Sequence, residues 1–68
     1  MEIQKRLATR VKTLRREKGW SQEELAYRAG VHRTFVSQIE RATKVSSIVT
    51  VEKVARAFEI KIGTLLDD

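Results

Sequence analysis

The chain has 68 residues with no cysteine, no proline, 41% apolar residues and a formal net charge of +5. That length bounds one domain near the lower limit of what a single core can stabilise, and the composition favours a helical fold over disorder. Without cysteine there is no disulfide framework and no Cys-ligated zinc, while the basic balance favours a polyanionic partner such as nucleic acid over charge that serves solubility alone.

Taken in order, the first apolar stripe is Ile3, Leu7, Val11 and Leu14. Recurrence at i, i+4, i+8 and i+11 predicts a helix over 2–18. Lys5, Lys12 and Arg16 fall near its opposite, solvated face, and Arg10 and Arg15 flank the stripe, where each can be partly buried and paired. A basic amphipathic helix on a membrane surface also fits the charge, but the stripe carries no aromatic residue and a core helix fits better. Gly19 marks its end.

Ser21-Gln22-Glu23-Glu24 then fits a capping box, with Ser21 as N-cap and Glu24 at N3, each side chain satisfying a backbone N–H of the first turn. Trp20 and Leu25 are spaced for a hydrophobic staple that sets the angle of chain entry. Leu25, Ala26 and Ala29 give a one-sided pattern for a second helix over 22–29. Gly30 follows, the residue type best suited to the left-handed conformation that closes a helix.

A third helix spans 33–41, with His32 at its N-cap and Val36 and Ile39 at buried positions. Arg33, Thr34, Ser37, Gln38 and Arg41 are left facing outward. In a DNA major groove, Arg pairs bidentately with guanine and Gln with adenine, while Ser and Thr serve either. Such a face, reached through a three-residue turn, is the arrangement of a helix-turn-helix. Two helices of an ordinary bundle with a solvated polar face give the same pattern. Residues 42–46 form a connection, and Ser47 caps a fourth helix with Val51, Val54, Ala55 and Phe58 on its core side. A short fifth helix over 62–66 places Ile62, Leu65 and Leu66 as apolar residues. The expected architecture is an all-α five-helix bundle, one domain across 1–68.

Together these residues resemble the Cro/C1-type, lambda-repressor-like helix-turn-helix family. The resemblance runs without a gap from about Val11 to Leu66 and is carried by Leu14-Arg15-Arg16-Glu17-Lys18-Gly19, Ser21-Gln22-Glu23-Glu24-Leu25-Ala26, Ala29-Gly30-Val31, Ile39-Glu40-Arg41 and Val51-Glu52-Lys53-Val54-Ala55. Arg33-Thr34-Phe35-Val36-Ser37 followed by Ile39-Glu40-Arg41 looks most like the controller proteins of restriction–modification systems. The chain also departs from the pattern. Ala42 and Glu59 stand where the family usually has Gly, Val45-Ser46 replaces a common Asn-Pro, and Phe35 replaces the Tyr of the controller subgroup.

The resemblance implies an operator-binding transcriptional regulator. Arg33, on the first exposed turn of the third helix, is the leading base reader, with Thr34, Ser37 and Gln38 adding base or phosphate hydrogen bonds. Phe35 either packs on a thymine methyl or fills the core. His32 reads as a cap or phosphate neighbour. Gln22, where the family typically contacts phosphate, has the helix dipole in its favour, and Arg41 and Lys44 can reach the backbone nearby, Arg41 being otherwise an exposed helix-end charge. The family also implies a buried pair between Arg15 and Glu40 that joins the first helix to the third.

One such unit buries little surface on DNA, and a two-fold dimer reading half-sites about 34–36 Å apart is the natural remedy. Val45, Val49, Ile60 and Ile62, with Leu65 and Leu66, are the candidates for the dimer surface; the alternative is that they close the small core. A bound dimer would either exclude RNA polymerase or contact it. Three other classes compete less well. A protein-interaction or antitoxin-like module would need a large exposed apolar face. RNA binding lacks its aromatic platform, with only Trp20, Tyr27, Phe35 and Phe58 available. An enzyme finds one His, no Cys, no Gly-rich phosphate loop and acid pairs only at Glu23-Glu24 and Asp67-Asp68. No cofactor or metal site is expected. Lack of a membrane-length apolar run or a signal-peptide core, together with lack of cysteine, agrees with the cytoplasm.

Overall fold

The second, third and fourth helices each begin on a capping side chain. The computed structural model describes residues 3–42 and 47–66. Among the described residues the elements are α1 (Ile3–Lys18), α2 (Gln22–Ala29), α3 (Arg33–Arg41), α4 (Ile48–Ala57) and α5 (Ile62–Leu66), with no strand. Ser21 Oγ accepts from the Glu24 backbone N–H at 3.0 Å, Ser47 Oγ from that of Thr50 at 3.2 Å, and His32 Nδ1 from that of Thr34 at 3.4 Å. All three N-caps stand where the sequence places them. Only half of the capping box forms, because the Glu24 carboxylate turns instead to Arg28 Nε at 2.7 Å.

Gly19 at φ 73° and Gly30 at φ 71° end α1 and α2 in the left-handed region. At the first of these, Trp20 N–H donates to Arg15 C=O and Gly19 N–H to Arg16 C=O, both at 3.0 Å, which satisfies carbonyls the helix leaves open. The same conformation recurs after α3 and α4, where the chain has no glycine: Ala42 sits at φ 53° and Glu59 at φ 59°. A Cβ in this region crowds the following carbonyl at roughly 1–2 kcal/mol per residue. The fold therefore keeps the turn that the departures at Ala42 and Glu59 make strained.

The core joins Val11 of α1, Leu25, Ala26 and Ala29 of α2, Val36 and Ile39 of α3, Val51, Val54 and Ala55 of α4, and Leu65 of α5. α3 packs on α1 and α2, α2 also on α4, and α5 closes the bundle against α1 and α4. Phe58, just past α4, is buried and stacks on Trp20 with ring centroids 5.6 Å apart. The Arg28 guanidinium also lies over the Trp20 ring, 4.4 Å from its centroid. Trp20 thus tethers the α1–α2 turn to the end of α4, and it packs against the core cluster that includes Leu25. The predicted stripe of α1 also needs correction: Ile3 is 56% exposed, and Ala8, outside that stripe, is buried. No helix among the described residues is long and apolar enough to cross a membrane.

Candidate nucleic-acid interface

α3 owes its angle to a polar knot rather than to apolar packing alone. Glu40, in its last turn, is the buried charged residue of the described core, with a side chain 4% exposed. Its Oε2 accepts from Arg15 Nε at 2.6 Å and its Oε1 from Arg15 Nη2 at 3.1 Å, a two-pronged pair between α3 and α1. Gln22 Nε2 donates to the same Oε1 at 3.1 Å, and Arg15 Nη1 donates to the Trp20 carbonyl at 2.8 Å. One carboxylate therefore gathers α1, the first residue of α2 and the turn between them onto the back of α3. Hydrogen bonding to Glu40 pushes the Arg15 guanidinium above its ordinary range and outweighs burial, which acts the other way. Arg15 is thus charged at any working pH.

With its back held, α3 turns a different set of side chains outward. Arg33, Thr34, Phe35 and Arg41 are exposed, and Ser37 and Gln38 are half-buried. Phe35, at 46% exposure, stands outside the core, so the core-filling alternative does not hold. His32 is exposed at the α3 N-terminus, where its Nδ1 also lies 3.1 Å from Thr34 Oγ1. Gln22 stands at the start of α2, half-buried, with its amide nitrogen turned to Glu40. An amide nitrogen carries two hydrogens, and one of them serves the knot, so this residue is architectural as well as a candidate phosphate contact.

Lys44 and Val45 lie outside the described residues. Of the other apolar candidates for a dimer surface, Val49 is exposed beside exposed Ile48 at the start of α4, and Ile60, Ile62 and Leu66 are half-buried. Leu65 departs from that expectation. It is 0% exposed and belongs to the core, because α5 turns this side of its single turn onto α1 and α4. One residue given no site role from the sequence stands beside α3. Glu23 lies in the first turn of α2 with its Oε2 3.9 Å from Arg33 Nε. Arg10, expected only to be paired, donates through Nη2 to the Thr64 carbonyl at 3.1 Å and so ties α5 to α1. The Glu23 placement follows from the turn, which brings the first turn of α2 beside the first turn of α3; no local pattern announces it.

Residues 11–65 match the family described as HTH_3, helix-turn-helix. The HTH-type transcriptional regulator SinR of Bacillus subtilis strain 168 is 41% identical over 63 residues, which cover 91% of this chain and 57% of SinR. The chain thus spans little more than half the length of that relative. A crystal structure of SinR in complex with DNA superposes with a TM-score of 0.80 at 42% identity, covering 90% of this chain and 98% of that one. The hypothetical transcription factor NHTF from Neisseria gives a TM-score of 0.90 at 38% identity, covering 97% of this chain and 76% of the other. The restriction–modification controller protein C.AhdI from Aeromonas hydrophila gives 0.85 at 35% identity, covering 91% and 94%. Matched over nearly all of its helices, and folded as these proteins are, the chain belongs to the helix-turn-helix family HTH_3.

Proposed function

We propose that this chain is a sequence-specific double-stranded DNA-binding transcriptional regulator that occupies an operator as a dimer, with α3 in the major groove. The observation that carries the reading is the division of α3 into two sides. Val36, Ile39 and Glu40 are buried, and Arg33, Thr34, Phe35 and Arg41 are exposed on a rod whose angle the Arg15–Glu40–Gln22 knot sets. Arg33, Thr34, Phe35, Ser37 and Gln38 supply base contacts, and Gln22, His32 and Arg41 supply phosphate contacts, with Lys44 adding one from the following connection. A net charge of +5 supports the polyanionic partner, and the structure of SinR in complex with DNA supports DNA in particular.

The dimer is drawn from the exposed and half-buried apolar residues Val49 of α4, Ile60 between α4 and α5, and Ile62 and Leu66 of α5, with Val45 a further candidate. Sedimentation showing monomer alone at micromolar concentration counts against it. Likeness to C.AhdI supports control of restriction–modification genes, a role tested by whether the bound sequence lies upstream of such a gene pair. For base reading, the assay is selection from a randomised duplex followed by binding of the Arg33→Ala variant. A bidentate Arg–guanine pair is worth about 1–3 kcal/mol, so the variant should lose about that much at the selected site and lose its preference at one position. An equal loss on selected and random DNA refutes the assignment of Arg33 to a base.

A further inference from the structure

Three acidic side chains border α2 and α3, and each faces one arginine. Glu40 holds Arg15 with a shortest distance of 2.6 Å, and Glu24 holds Arg28 at 2.7 Å. Both contacts are hydrogen bonds, the first joining α1 to α3 and the second an exposed pair within α2. The third pair differs in kind. Glu23 Oε2 stands 3.9 Å from Arg33 Nε, with the side chains 73% and 50% exposed, so the two attract across solvent without a hydrogen bond. Exposed pairs of this sort add little to folding stability. Their effect falls instead on where a long side chain spends its time, and Arg33 is the residue that stands first on the outward face.

The atom facing Glu23 matters. A guanidinium has five N–H donors in a planar fork, and guanine O6 and N7 together take two parallel donors. The contact of Glu23 is with Nε of Arg33, whose side chain is 50% exposed, so the end-on pair of Nη groups is not the edge this carboxylate engages. We propose that Glu23 is a positioning residue for base recognition: it draws the Nε edge of Arg33 toward α2 and so presents the Nη pair to guanine. This rests on the assignment of Arg33 to a base edge. Without the carboxylate, Arg33 retains its charge but swings among the phosphates on either side of the groove, which attract it whatever the sequence.

The test is a double-mutant cycle on base preference. The probe is the duplex that the parent protein selects from a randomised library, with the Arg33-dependent guanine replaced in turn by each other base. Glu23→Gln removes the charge and keeps the size, and unchanged far-UV circular dichroism serves as the folding control. Exposed pairs contribute about 0.2–1 kcal/mol, so Glu23→Gln should lower the guanine preference at that one position by about 1.4- to 5-fold. Preferences at other positions should stay unchanged, and Glu23→Gln should have no further effect in the Arg33→Ala background. Full guanine preference in Glu23→Gln overturns the inference, as does an equal loss at every position or a loss that persists without Arg33. If Arg33→Ala itself leaves every preference intact, the base-reading assignment fails first and the inference falls with it. If Arg33→Ala abolishes the preference and Glu23→Gln spares it, only the role of Glu23 is refuted.

Discussion

Replacing Glu40 by Ala tests the knot that sets the angle of α3. Glu40 receives three side-chain hydrogen bonds, two from Arg15 and one from Gln22, at 2.6, 3.1 and 3.1 Å. With side-chain exposures of 15% for Arg15 and 4% for Glu40, the pair is shielded enough that removing the acid strands a cation. Breaking a buried pair from one side costs about 3–5 kcal/mol. A domain of this size has a total stability on the order of 3–10 kcal/mol, so Glu40→Ala should take much of it away. Urea denaturation followed by far-UV circular dichroism reads the loss directly as a lower midpoint. The double variant Arg15→Met/Glu40→Leu removes the charges together and should recover at least half of the loss, since apolar replacement of a whole buried pair is often neutral or favourable. Recovery stays incomplete because the Trp20 carbonyl and the Gln22 amide lose their partners. A Glu40→Ala protein within about 1 kcal/mol of the parent would falsify the claim that a shielded charge pair holds the helix.

The other predictions concern the strained turns, the first cap and the aromatic tether. Ala42→Gly and Glu59→Gly each relieve about 1–2 kcal/mol of left-handed strain against about 0.4–1 kcal/mol of added chain freedom when unfolded. Each should raise the melting temperature by a few degrees in calorimetry, and a drop for both contradicts the strain. Ser21→Ala removes the oxygen that accepts from Glu24 N–H at 3.0 Å and should cost about 1 kcal/mol by chemical denaturation. Phe58→Ala should cost about 3–5 kcal/mol and shift Trp20 emission to the red, since the ring stacked on it at 5.6 Å is gone. Unchanged emission in the folded variant counts against the stack.

Much of the fold was legible because its signals are short-range. Caps at Ser21, His32 and Ser47 involve atoms two or three residues away. Val11, Leu25, Val36, Ile39, Val51 and Val54 declare their side by spacing alone, and all are buried. Glycine at 19 and 30 announces the left-handed turn, whereas Ala42 and Glu59 hide it, and only the tertiary fold keeps them there. The Arg15–Glu40 pair was named through family resemblance; neither periodicity nor charge pattern selects that acid for that arginine.

Amino-acid order by itself determined where the second, third and fourth helices start and most of the apolar positions they bury, since these depend on neighbours within a turn or two. Tertiary structure alone decided that Gln22 shares the carboxylate of Glu40, that Trp20 lies on Phe58, that Leu65 closes the core while Val49 stays exposed, and that Glu23 faces Arg33. Each of those pairings brings together groups from different helices. Their distance is set by the angle at which whole elements pack, a quantity no local pattern encodes.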